Sequence, residues 1–105
     1  MIVVFEKRYL EVLYKKGTCL DKKHRFQPDI IRRYQKVINF MKNSSSMRTL
    51  AMIKSLNLEK LLGDNEGLYS VRVNDKYRVE FTTSETEEDT IMTICTIQEL
   101  SNHYD

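Results

Sequence analysis

The chain has 105 residues and a formal net charge of +2, from 17 Lys and Arg against 15 Asp and Glu. This is the length of a single domain, residues 1–105. A domain of this length buries roughly two-thirds of the surface of its extended chain, enough for a hydrophobic core that needs no disulfide or metal ion to hold it together. Three Gly and one Pro exclude a low-complexity chain. No apolar run approaches the ~20 residues of a membrane span. Two distant cysteines without a CxxC motif favour a reduced, cytoplasmic protein.

The small net charge hides a strong asymmetry along the chain. Residues 1–63 carry 14 Lys and Arg against 5 Asp and Glu, a balance of +9, whereas residues 64–105 carry 3 against 10, a balance of −7. Both halves belong to one small domain, so this pattern predicts a polarised surface.

The first half reads as a strand followed by helices. The β-branched run at 2–5 predicts a strand, and apolar residues spaced i, i+4 predict a helix over 6–16 that stops at Gly17. The clearest helix covers 28–42, because Pro28 suits the first helical position and one apolar stripe runs along it. Its stripe comprises Ile30, Ile31, Tyr34, Val37, Ile38 and Met41.

Beyond this helix, Ser46 is a candidate cap for a short helix over 47–53. After Gly67 the hydrophobic period changes from 3.6 to 2, which predicts a hairpin over 69–81. An acidic loop at 85–89 precedes a third long strand at 90–97, whose apolar residues on both faces place it inside the sheet. The predicted order is β-α-α-β-β-β, an α+β domain with helices on an antiparallel-rich sheet.

The hairpin register follows from its alternation. A three-residue loop at 74–76 pairs Val71 with Val79 and keeps the apolar side chains on one face. The same register places Arg72 directly opposite Arg78 on the other face, a mildly unfavourable pair of like charges. Compensation by Glu80 is one interpretation. The other is that the arginines bind an anion such as an RNA phosphate.

Residues 61–81 resemble a known family. The stretch Leu-Leu-Gly at 61–63, Tyr-Ser-Val-Arg-Val-Asn at 69–74 and Tyr-Arg-Val-Glu-Phe at 77–81 is similar to the RelE/ParE toxin superfamily. Within it, the sequence looks most like the HigB-like plasmid maintenance system killer proteins. The opening strand, the helices and the tail fit the same template, so the resemblance spans nearly the whole chain and implies the RelE-like fold.

The resemblance implies a type II toxin that cleaves ribosome-bound mRNA and halts translation. In this chemistry the 2′-OH attacks the neighbouring phosphate, a base and an acid move protons, and cations stabilise the phosphorane. It implies no metal and no other cofactor. By position, Arg78 and Arg72 would stabilise phosphate charge, while His103 and Tyr104 would supply acid–base and stacking functions.

Basic side chains on the helices complete the predicted interface. The candidates for contact with RNA and the ribosome are Arg32, Arg33, Lys36, Lys54 and Lys60. A helix-turn-helix antitoxin of the HigA type is the implied partner. Two alternatives stay open: a ParE-like inhibitor of DNA gyrase without nuclease activity, and a degenerate toxin that binds its antitoxin and does nothing else.

Overall fold

The computed structural model describes residues 1–19, 25–61 and 67–102. Within them the chain forms a mixed five-stranded sheet with strand order β1-β5-β4-β3-β2. In chain order the elements are β1 (Ile2–Phe5), α1 (Arg8–Lys16), α2 (Pro28–Asn43), α3 (Met47–Ala51), a 3₁₀ turn (Lys54–Leu56), β2 (Glu59–Lys60), β3 (Leu68–Arg72), β4 (Tyr77–Glu85) and β5 (Thr93–Asn102).

The core lies between the helices and one face of the sheet. Val71, Val79 and Phe81 alternate along the hairpin and are almost fully buried, as are Cys95 and Ile97 of β5. Side chains of the opposite parity form the other face of the sheet, called here the open face. Most open-face residues are exposed or half-buried, so the two faces differ in polarity as in other one-sided sheets.

The α2 stripe packs as its spacing predicts. Tyr34, Ile38 and Met41 are fully buried, and the Tyr34 hydroxyl donates to the carbonyl oxygen of Leu10 at 2.8 Å. This bond ties α2 to α1. Gly17 ends α1 with φ at +68°, a left-handed conformation that favours glycine.

The predicted hairpin register is confirmed. Val71 pairs with Val79 and Arg72 with Arg78. The amide of Val73 donates to the carbonyl of Tyr77 at 2.9 Å, which closes the predicted three-residue loop. Tyr69 stacks on Phe81 with ring centroids 5.8 Å apart.

Several predicted boundaries were wrong. The last strand begins at Thr93 rather than at 90 and continues through the predicted tail to Asn102. A β-bulge beside Glu80 and Phe81 shifts its register against β4, which the alternation of a single strand cannot reveal. Its interior position is confirmed, because β5 lies between β1, to which it is parallel, and β4.

The first and third helices are shorter than predicted, and one strand was missed. The first helix begins at Arg8, two residues after its predicted start, and the third ends at Ala51, two residues before its predicted end. Ser46 caps that third helix, since its hydroxyl accepts from the amide of Thr49 at 3.2 Å. The two-residue strand β2 pairs antiparallel with β3, and nothing in its short polar sequence signals a strand.

The far end of β5 is anchored to α1. Glu99 accepts from the hydroxyl of Tyr9 at 2.8 Å and from the ammonium of Lys7 at 2.9 Å. Burial and this carboxylate together raise the pKa of Tyr9, which keeps the phenol protonated as the donor. None of the helices in the described parts of the chain is long and apolar enough to cross a membrane.

Candidate functional site

Arg78 reaches across β3 and is held by backbone and side-chain oxygens. Its Nε donates to the Ser70 hydroxyl at 2.9 Å, and its Nη2 donates to the carbonyl oxygens of Asn57 at 2.6 Å and Ser70 at 3.3 Å. The side chain is 14% exposed. The guanidinium therefore fastens the segment before β2 to the sheet while one edge of it faces the open side.

Glu59 places a carboxylate beside this guanidinium. β2 sets Glu59 opposite Ser70, and Glu59 Oε2 lies 3.9 Å from Arg78 Nη2. The other oxygen, Oε1, accepts from the side-chain amide of Asn57 at 3.1 Å. About half of the Glu59 side chain is exposed, so a ligand on the open face can reach a carboxylate whose orientation is fixed.

The pKa of Arg78 is lowered, mainly because burial disfavours its charge. Arg72 lowers it further, while the negative charge of Glu59 raises it. A guanidinium stays protonated in proteins in spite of such shifts. Arg78 therefore offers a fixed positive charge next to the Glu59 carboxylate.

The like charges of Arg72 and Arg78 are compensated by carboxylates of the protein. Arg72 forms an ion pair with Asp75 of the hairpin loop, and Arg78 lies near Glu59. The sequence left two explanations open, compensation by Glu80 or a bound anion. The hairpin turn and the edge strand bring two further carboxylates, Asp75 and Glu59, to the arginines.

Two neighbouring clefts lie between the hairpin and α2, and Arg72 lines both of them. The larger, of about 610 Å³, lies between the start of α2 and the hairpin loop, and the smaller, of about 360 Å³, lies next to the 3₁₀ turn. Arg33 and Arg72 line both, and Lys36 lines the smaller one. Three of the predicted basic residues thus share one continuous surface.

The Asp29 carboxylate partly neutralises the positive charge of this surface. Its carboxylate lies 3.5 Å from Arg32 and 3.2 Å from Arg33, one turn along α2. These pairs are exposed, so each contributes at most a modest stabilisation. Arg33 therefore remains available to an anion that binds in the clefts and displaces the Asp29 carboxylate.

The structure places the other predicted residues as follows. Lys54 begins the 3₁₀ turn and Lys60 lies in β2, opposite Tyr69. His103 and Tyr104 lie outside the described residues. The strand that leads to them is described as far as Asn102, which pairs with Tyr77 and lines the larger cleft.

Sequence reasoning missed Glu59 as a member of this site. Its contact with Arg78 depends on β2, which is two residues long and pairs with β3, so that Glu59 lies opposite Ser70. A weak signal was present in Asn57, which adopts φ of +44°. Asparagine tolerates this left-handed conformation better than most residues, so an Asn within a leucine-rich stretch indicates a turn.

The two arginines should differ in their effect on stability. Arg78→Ala removes three hydrogen bonds and is expected to lower the free energy of unfolding by about 1–3 kcal/mol. Arg72→Ala removes one exposed ion pair and is expected to cost less than about 0.5 kcal/mol. Urea unfolding of both variants measures the difference. Equal losses would contradict the fastening role of Arg78.

The fold is shared with a solved structure. The structure is similar to the "YoeB/ParE toxin from Agrobacterium tumefaciens", with a TM-score of 0.55 and 16% sequence identity over 99% of this chain and 100% of that one. At this identity the likeness shows a shared RelE-like fold. No curated protein matches the sequence.

The sequence itself gives the family. A family model described as "RelE-like toxin of type II toxin-antitoxin system HigB" matches residues 3–94. The chain therefore belongs to the HigB-like toxins, and the resemblance seen in the hairpin is confirmed. As a type II toxin it has an antitoxin protein as its partner.

Proposed function

We propose that this toxin is a ribosome-dependent mRNA endoribonuclease that inhibits translation in the cytoplasm, and that a HigA-type helix-turn-helix protein neutralises it. The observation that carries the proposal is the Glu59 carboxylate 3.9 Å from the guanidinium of Arg78, with Arg72 on the neighbouring strand. A fixed carboxylate next to two cations is suited to chemistry at a phosphodiester.

In the proposed reaction, Glu59 accepts the proton of a ribose 2′-OH. The 2′-oxygen forms a bond to the adjacent phosphorus, the bond from phosphorus to the 5′-oxygen breaks, and an acid protonates that oxygen. The products are a 2′,3′-cyclic phosphate and a 5′-hydroxyl. Arg72 and Arg78 stabilise the charge of the phosphorane. His103 is the proposed acid and Tyr104 the proposed stacking residue.

The remaining basic residues are proposed to hold RNA and ribosome through phosphate contacts. Arg33 and Lys36 lie with Arg72 along the clefts, and Arg32 follows on the same helix. Lys54, at the start of the 3₁₀ turn, and Lys60, in the edge strand β2, are proposed to add further contacts. Such contacts are sequence-independent and weaken as salt is raised.

Primer extension on mRNA from induced cells tests this function. Expression of the toxin is expected to produce new 5′ ends at fixed positions within translated codons, within minutes and before growth stops. Arg72→Ala is expected to reduce these cuts strongly while the protein stays folded. Intact messages with altered plasmid supercoiling would instead identify a gyrase inhibitor. Intact messages with normal growth would identify a degenerate toxin.

A further inference from the structure

The open face carries an apolar patch at the end of the sheet remote from Arg78. Ile2 and Val4 of β1 lie beside Ile94 and Thr96 of β5 in the parallel register. Met92, directly before β5, extends the same row. Its carbonyl oxygen accepts from the backbone amide of Thr86 and its amide donates to the Thr86 hydroxyl, each at 3.0 Å, so the contact between the two strands continues to Met92. Alternation then puts Met92 on the face of Ile94.

Most of the exposed large apolar side chains of the described residues lie at this end of the sheet. There are five such side chains in the described residues, and four of them lie here: Ile2 at 36%, Val4 at 41% and Met92 at 45% in the patch, with Ile91 at 65% next to it in the chain. The fifth, Met52, is 74% exposed and follows α3. A cluster of this kind marks a protein interaction surface, whereas a scattered residue such as Met52 has no such meaning.

Acidic residues surround the tip of the patch. Glu85, Glu87, Glu88 and Asp89 precede Ile91 and are all exposed. Residues 79–105 contain no Lys or Arg. The side chains of a binding partner that lie over this rim should therefore be basic, because opposite charges speed association and fix orientation.

The patch is separate from the proposed nuclease site. Ser84 pairs with Ile94 at the patch, and Arg78 begins the same strand at the other end. Six residues of strand span about 20 Å. In addition, β1 is the outermost strand on this side of the sheet, so an extended segment of a partner can approach along its edge.

We propose that the antitoxin docks on this patch through a segment that combines apolar side chains with Lys or Arg. The inference rests on membership of a type II toxin family, which requires a protein partner, and does not depend on nuclease activity. Apolar side chains form the centre of such interfaces and charges their rim, which is the arrangement found here. Antitoxin bound in this way leaves the side chains of Arg78 and Glu59 uncovered by that segment.

A matched pair of methionine substitutions tests the proposal. Met92→Lys introduces a positive charge into the patch, and Met52→Lys makes the same change at an exposed position outside it. The probe is the antitoxin encoded by the neighbouring gene, titrated calorimetrically into each purified toxin variant. Met92→Lys is expected to weaken binding about 10- to 100-fold. Met52→Lys is expected to leave it unchanged, and thermal melts verify that both variants fold.

Growth inhibition provides a second measurement. Cells that express Met92→Lys are expected to be arrested as strongly as with the unaltered toxin, and to be rescued poorly by the antitoxin. Equal affinities of the two methionine variants would overturn the proposal. So would a toxin dimer that Met92→Lys dissociates, since the patch would then belong to a second copy of the chain. If the toxin proves to have no nuclease activity, the binding result still holds, because the calorimetric measurement does not depend on cleavage.

Discussion

Glu59→Gln is expected to slow mRNA cleavage about 100- to 10,000-fold, the usual contribution of a general base. The amide keeps the shape of the side chain and can still accept a hydrogen bond from Asn57, as Glu59 Oε1 does at 3.1 Å. It cannot accept the 2′-OH proton. Cleavage of mRNA on purified ribosomes, measured under single-turnover conditions, isolates this step. Ribosome binding should change much less than the rate.

Glu11→Gln supplies the control for this experiment. Glu11 lies on α1, where it forms an exposed ion pair with Lys15 at 3.4 Å. The substitution removes the same negative charge and is expected to leave cleavage unaffected. If Glu59→Gln cleaves as fast as Glu11→Gln, Glu59 is not the base. If Glu59→Gln loses cleavage activity and also melts at a much lower temperature than Glu11→Gln, the loss of activity reflects unfolding of the variant.

Phe81→Ala is expected to destabilise the protein by about 3–5 kcal/mol, a large part of the stability of a domain of this size. Phe81 is completely buried in the middle of β4, and its ring stacks on Tyr69. Removing it leaves a cavity at the centre of the sheet that neighbouring strands fill incompletely. Urea unfolding at constant protein concentration measures the change in midpoint.

Tyr69→Phe provides the comparison for the core. This change keeps the ring that stacks on Phe81 and removes a hydroxyl from a half-buried side chain. It is expected to shift the free energy of unfolding by less than about 1 kcal/mol. A loss below about 1 kcal/mol for Phe81→Ala would mean that β4 does not form the centre of the core.

The hairpin was predictable because its constraints are local. Side chains alternate with period two, so burying Val71 and Val79 together leaves few registers. The cross-strand position of Arg72 and Arg78 follows directly. The stripe of α2 was predictable for the same reason, since one helical face had to be apolar.

The partners of the two arginines were not predictable in the same way. Glu59 and Asn57 reach Arg78 through an edge strand that is stable because β3 is already there to pair with it. Such a strand has no hydrophobic pattern of its own. The extension of β5 was missed for a related reason: the bulge after Glu80 breaks the alternation that would have revealed it.

The bonds from Arg78 to Ser70 and Asn57 have a consequence for how this toxin can lose activity. One side chain both carries the proposed phosphate contact and closes the edge of the sheet, so a chance substitution there damages the fold together with the chemistry. Changes at Glu59 or Arg72 are free of this coupling. Inactive chains that still fold and bind an antitoxin should therefore arise at those two positions, which also makes them the better choice for producing a harmless complex in quantity.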